Sequence, residues 1–203
     1  MITFEVSHRI KRPVAEFMDM PRIARITDVN EDAVGHVRDV FSEAMACDQP
    51  VIPLIIDSNG GDANAMLAII DIIDQAKEHC LVATIIDGKA YSAGAILAAH
   101  GSEGYRFIGP NATIMVHQVS ASFEGKHADV QHEAGNIKKM NTRVLNMLDK
   151  ATGKKRGDWA KKIKAAGNSD IYFSAFEAVR QGLVDKVRLP TYGVYVDVKY
   201  TFQ

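Results

Sequence analysis

Thr84-Ile85-Ile86 followed by Gly88-Lys89-Ala90-Tyr91-Ser92-Ala93-Gly94-Ala95-Ile96-Leu97-Ala98-Ala99-His100-Gly101 is the stretch on which the reading of the fold turns. The apolar run predicts a buried strand, the small residues around Ser92 a sharp turn, and the Ala, Ile and Leu run a buried helix ending at His100-Gly101. A hydroxyl at that helix start lies near backbone N–H groups without intrahelical partners, where negative charge is stabilised. Ala90-Tyr91-Ser92-Ala93-Gly94 is one glycine short of the G-x-S-x-G elbow of serine hydrolases. Two readings of Ser92 therefore stand side by side: a nucleophile, or a serine that caps a core helix.

The same strand–turn–helix unit occurs immediately upstream. Val51 to Ile56 predicts a buried strand, Asp57-Ser58-Asn59-Gly60-Gly61-Asp62 a turn, and Ala63 to Glu78 an apolar helix. Further out, Arg22 to Thr27 alternates like a strand. Glu31 to Ala46 carries Val34, Val37, Val40, Phe41 and Ala44 at helical spacing. Downstream, strands are predicted at Tyr105 to Ile108 and Thr113 to Val116, and a long helix from about Asp129 to Lys150 with Ile137, Met140, Val144, Leu145 and Leu148 on one side. Shorter helices follow near Trp159 to Ala165 and from Ser174 to Gln181. A late strand within Gly193 to Phe202 closes the chain; Thr3 to Val6 reads as a strand, and Val14 to Met18 as loop or short helix. Recurrent strand–helix units predict an α/β fold with a largely parallel sheet, carried by residues 1–203 as one domain.

Composition narrows the function classes. The 203 residues are 47% hydrophobic and 24% charged, with a net charge of −1, which offers no basic surface for nucleic acid or for anionic lipid. Cys47 and Cys80 have no metal-ligand spacing and read as reduced thiols. The N-terminus lacks the pattern of a signal peptide, and no apolar run approaches the roughly 20 residues of a membrane span. The expectation is a soluble, cytoplasmic protein without cofactor or metal.

Beyond Ser92, three places could do chemistry. Gly60-Gly61, between a strand and a helix, can bring backbone N–H groups against a ligand as half of an oxyanion hole, or can simply make a tight turn. His117 closes a strand, where its imidazole could enter a cleft or sit satisfied in the core. Asp170, in Asn168-Ser169-Asp170-Ile171-Tyr172-Phe173-Ser174, could orient a histidine or be solvated. His100 suits a helix C-terminus, and His127 and His132 are spaced so that they do not share a helix face.

Together these segments resemble the proteolytic subunit of the Clp protease: the turn Ile56 to Gly61, the Gly88 to Ala95 segment, Met115-Val116-His117-Gln118, and Asp170 to Asp185. His117 follows Ser92 by 25 residues, the family's spacing. The resemblance spans about Arg22 to Val187 and implies a crotonase-like stack of ββα units with a protruding handle helix in about residues 118–150. It implies a serine endopeptidase in which Ser92 is the nucleophile, His117 the base and Asp170 the orienting acid, with the backbone N–H groups of Gly60 and Ala93 as oxyanion hole. The order Ser, His, Asp differs from that of the α/β-hydrolases. It also implies self-association into heptameric or double heptameric rings, an ATP-driven unfoldase of the AAA+ class as partner, unfolded polypeptides as substrates, and a gating or docking N-terminus in residues 1–20. Three places depart from the family: Asn59 stands where proline is usual, Val119-Ser120-Ala121-Ser122 follows His117-Gln118 where proline and then a glycine pair are usual, and Ser169 stands where an arginine helps join two rings. The rival classes are a crotonase-type acyl-CoA enzyme and a non-catalytic ring subunit.

Overall fold

The computed structural model describes the backbone of residues 3–8, 21–122, 124, 126–191 and 196–201. By its contacts the chain that the sequence reads as one domain divides into two compact units, residues 22–189 and the two termini, 1–21 with 190–203. In the terminal unit, strand β1 (Thr3–His8) pairs antiparallel with strand β9 (Val196–Thr201), Thr3 opposite Thr201 and His8 opposite Val196. The helix considered around Val14 to Met18 lies outside the described residues.

The larger unit carries the alternation that the sequence predicts. It runs β2 (Ala24–Ile26), α1 (Glu31–Ala46), β3 (Val51–Ser58), α2 (Ala63–Lys77), β4 (Leu81–Tyr91), α3 (Ala93–Ala99), β5 (Arg106–Ile108) and β6 (Thr113–Val116). Then come α4 (His127–Ala151), α5 (Asp158–Ala165), β7 (Ile171–Ser174), α6 (Ala175–Gln181) and β8 (Lys186–Val187). Strands β2, β3, β4, β5 and β8 lie side by side in that order, all parallel. The apolar stripe of α1, with Val34, Val37, Phe41 and Ala44 buried, packs with Met66, Ile69, Ile70 and Ile73 of α2 onto strands that are themselves apolar on both faces, as parallel sheets require.

Strand β4 is longer than the apolar run Leu81 to Ile86, and the excess builds the site. Its first half pairs with β3 and β5, whereas Lys89 to Tyr91 pair with Thr113 to Met115 of β6. The change of partner occurs at Gly88, whose φ of 118° suits glycine and where an added Cβ would lie 2.7 Å from Asp57 Oδ1. β7, not foreseen as a strand, then pairs antiparallel with β6, Val116 opposite Ile171.

Two buried polar groups lock helix ends to this frame. Asp149, near the end of α4, accepts from Trp159 N–H at 2.9 Å and from Gly157 N–H at 2.6 Å, and so caps α5 from outside that helix. Trp159 is fully buried, with its indole N–H donating to Thr152 Oγ1 at 2.9 Å. The Arg106 guanidinium pairs with Asp185 and donates to the carbonyls of Ala99, Ala151 and Gly182, at the carboxyl ends of α3, α4 and α6. A cation placed there answers three sets of orphan carbonyls together. Only the C-terminal half of α4 is buried, at Val144, Leu145, Leu148 and Asp149.

Candidate active site

Ser92 does not cap α3. It is the residue before that helix, yet its side chain makes no capping hydrogen bond, and its backbone stands at φ 54° and ψ −120°. A non-glycine residue in that region is strained, and such strain collects at functional turns. The turn is held by Ser92 N–H donating to Met115 O at 2.9 Å across to β6. The hydroxyl is thereby presented to the end of β6, where His117 follows, and Ser92 Oγ lies 2.7 Å from His117 Nε2.

The acid arrives by strand register. The β6–β7 ladder ends with Val116 opposite Ile171, so one further step sets His117 opposite Asp170. His117 Nδ1 lies 3.8 Å from Asp170 Oδ1, beyond hydrogen-bond length, and the Asp170 side chain is 49% exposed against 22% for His117. Ser92 and His117 are therefore in contact, and Asp170 is opposite His117 beyond hydrogen-bond reach.

Gly60 and Gly61 divide the work differently from the expectation. Gly60 N–H donates to Ser58 Oγ at 3.0 Å inside the buried turn. Gly60 O accepts from Val29 N–H at 3.0 Å, and Val29 O accepts from Asp62 N–H at 2.8 Å. In this parallel bridge the groups flanking Gly61 face Val29, so Gly61's own N–H points to the opposite side. Gly61, not Gly60, lines the cleft beside Ser92 together with Ala93. What Gly60 supplies is closeness: a Cβ there would lie 2.7 Å from Ser92 Cβ. The first turn of α3 leaves N–H groups without intrahelical partners, Ala93 at their head.

The cleft holds about 400 Å³. Its floor is Met66, Ile96, Ile137, Met140 and Val144, and its rim includes Gln118 to Ala121, Glu133 and Asn136. Ile137 and Met140 are half-buried residues just N-terminal to the buried stretch of α4, so the helix's apolar stripe serves the cleft as well as the core. A larger hollow of about 640 Å³ lies at the carboxyl ends of α3 and α4. There the hydroxyls of Ser102 and Thr152 are bound to backbone groups. His100 in that hollow gives Nδ1 to Ile96 O at 2.8 Å, and burial pushes its imidazole below the ordinary histidine range. Chemistry thus favours the smaller cleft. Among the described residues no three His, Cys, Asp or Glu side chains gather as a metal site, and no helix is long and apolar enough to cross a membrane.

A sequence model of the Clp protease family matches residues 9–190, beginning upstream of the segments that carry the resemblance. The chain belongs to the Clp protease family. Its mostly parallel α/β unit is accordingly the crotonase-like fold of that family. The chain is similar to the ATP-dependent Clp protease proteolytic subunit 2 of Frankia casuarinae, at 38% identity over 136 residues. That match takes in 67% of this chain and 60% of the length of the Frankia protein.

Proposed function

We propose that this Clp family chain is a serine endopeptidase whose nucleophile is Ser92 and whose base is His117. The observation that carries the reading is the 2.7 Å approach of Ser92 Oγ to His117 Nε2, both lining one cleft, from a strained backbone turn at Ser92. With the hydroxyl donating, Nε2 takes the proton as Oγ attacks the peptide carbonyl, and later returns it to the leaving amine. Asp170, after closing about 1 Å, would accept from Nδ1–H, hold the tautomer and stabilise the imidazolium. The N–H groups of Gly61 and Ala93 flank the place where the oxyanion develops, an interaction whose loss typically costs about 10²–10³ in rate. No group in this sequence of steps needs a cofactor.

Family membership supports the remaining parts of the proposal. Copies of the chain would form rings, with residues 118–150 as the handle where rings meet and residues 1–20 as gate or docking segment. A partner ATPase would deliver unfolded polypeptide. A second reading, a ring subunit that assembles without cleaving, is favoured by one feature, the unengaged and half-exposed Asp170. A fluorophosphonate probe separates the two. Covalent labelling of the assembled wild type, absent in Ser92→Ala, is the result expected of a peptidase; an unlabelled wild type would leave the assembly reading.

A further inference from the structure

The acid loop and the base strand are joined by a side-chain bond that none of the steps above uses. Gln118, next to His117, donates from Nε2 to Asn168 Oδ1 at 3.0 Å, two residues before Asp170. Asn168 is a fixed anchor. Its N–H donates to Ile163 O at 2.9 Å at the end of α5, a helix whose Trp159 and Ile163 are fully buried. Its backbone has φ 59°, a left-handed conformation that asparagine tolerates better than other side-chain-bearing residues. At the next residue Val119 N–H donates to Asn141 Oδ1 of α4 at 3.0 Å, so the segment leaving β6 is tied at two successive residues.

We propose that the Gln118–Asn168 amide clasp is the positioning device that sets Asp170 toward His117 within a single chain. The inference rests on the peptidase reading and deepens it. The ladder between β6 and β7 ends at Val116 and Ile171, one step short of the base and the acid. Beyond a ladder's last pair two strands separate freely unless something bridges them, and the clasp bridges them on the far side of His117 and Asp170. Base and acid are thereby enclosed between the last backbone pair and a side-chain bond. The remaining gap of 3.8 Å between Nδ1 and Oδ1 then needs only a small motion of a half-exposed aspartate to close. Without the clasp the loop from Gly167 to Asp170 gains freedom, and the closed arrangement becomes a smaller fraction of the ensemble.

Asn168→Gly removes the acceptor while keeping both the left-handed backbone and the anchoring N–H. It is the cleaner half to change, because Gln118 also lines the cleft. The full-length protein and its variants are reacted with a fluorophosphonate probe, and the rate of Ser92 labelling is followed alongside the urea midpoint. The expected result is a labelling rate lower by on the order of tenfold in Asn168→Gly, the worth of one hydrogen bond, while the urea midpoint shows the variant still folded where labelling is read. Gln118→Ala should reproduce the loss. In an Asp170→Asn background, Asn168→Gly should cost nothing more, because the acid through which the clasp acts is already gone. A further tenfold loss in that background, or a wild-type rate in Asn168→Gly, overturns the clasp while leaving the peptidase reading intact. A wild type that does not label at all overturns that reading and the clasp with it.

Discussion

Gly60 shows how one missing atom can set the place of Ser92, the proposed nucleophile. Its φ of 104° is favourable for glycine, and the space where a Cβ would stand is taken by Ser92 Cβ at 2.7 Å and Tyr91 O at 2.9 Å. Neither neighbour can retreat cheaply, because Ser92 is held through its N–H by β6 and Tyr91 belongs to β4. Gly60→Ala is therefore expected to push the Ser92 turn away from His117 and to lower probe labelling by about 10² or more, as misplacement by about 1 Å does elsewhere. Activity-based labelling with a circular dichroism check of folding would test it; unchanged labelling would mean that the turn has more slack than its contacts suggest. The glycine pair was read in the sequence as half of an oxyanion hole or as a plain tight turn. Which of the two lines the cleft was not legible, because it depends on a bridge to Val29, more than thirty residues away along the chain, and on the private bond to Ser58.

At the scale of elements, α5 exists because another helix caps it. It has a left-handed glycine, Gly157, at its N-terminus with no side-chain cap of its own, and Asp149 of α4 accepts from its first N–H groups. Asp149→Ala would leave those donors buried and unpaired. It is expected to destabilise the fold by about 1–3 kcal/mol, read as a lower urea midpoint, and an unchanged midpoint would refute the assignment. By contrast α6 carries its own start signal: Glu177 accepts from the N–H of Ser174, the reciprocal half of a capping box, and also from its hydroxyl. The helix read from the sequence over Ser174 to Gln181 begins at this serine. The sequence could not name Asp149, which is distant in sequence from the helix N-terminus only by a loop but is chosen by how α4 and α5 pack. Strand β7 was likewise invisible, since four residues with no alternation carry little signal until β6 lies beside them.

At the scale of the whole larger unit, Arg106 of β5 and Asp185 just before β8 tie these strands to three helix ends. Burial pushes the Asp185 carboxyl up, but the hydrogen bonds and charge of Arg106 outweigh it, so the group lies below its usual range. A carboxyl lowered on folding contributes stability above its unfolded value, about 3.9, and loses it as pH falls through the lower folded value. Wild-type stability should therefore decline on acidification below about pH 4. Asp185→Asn should be less stable at neutral pH and show a weaker decline there, measured as urea midpoints against pH. Equal slopes in wild type and variant would dismiss the pair as the source.

What the sequence determined by itself was the local order. Strand, turn and helix alternate because apolar runs, glycines and caps act within a few residues, and this periodicity gave the parallel α/β architecture, with Ser92 at a strand-to-helix turn. The family resemblance then singled out His117 and Asp170. What only the tertiary structure decided was proximity: that Ser92 leaves helix capping for His117, that Gly61 rather than Gly60 opens to the cleft, that α4 lends Ile137 and Met140 to it, and that Asp170 stands opposite the base yet 3.8 Å from it. The reason is range. Backbone propensity is settled between neighbours, whereas a catalytic distance is settled by the register of β6 against β7 and by the bend of β4 at Gly88, pairings whose partners lie tens of residues apart.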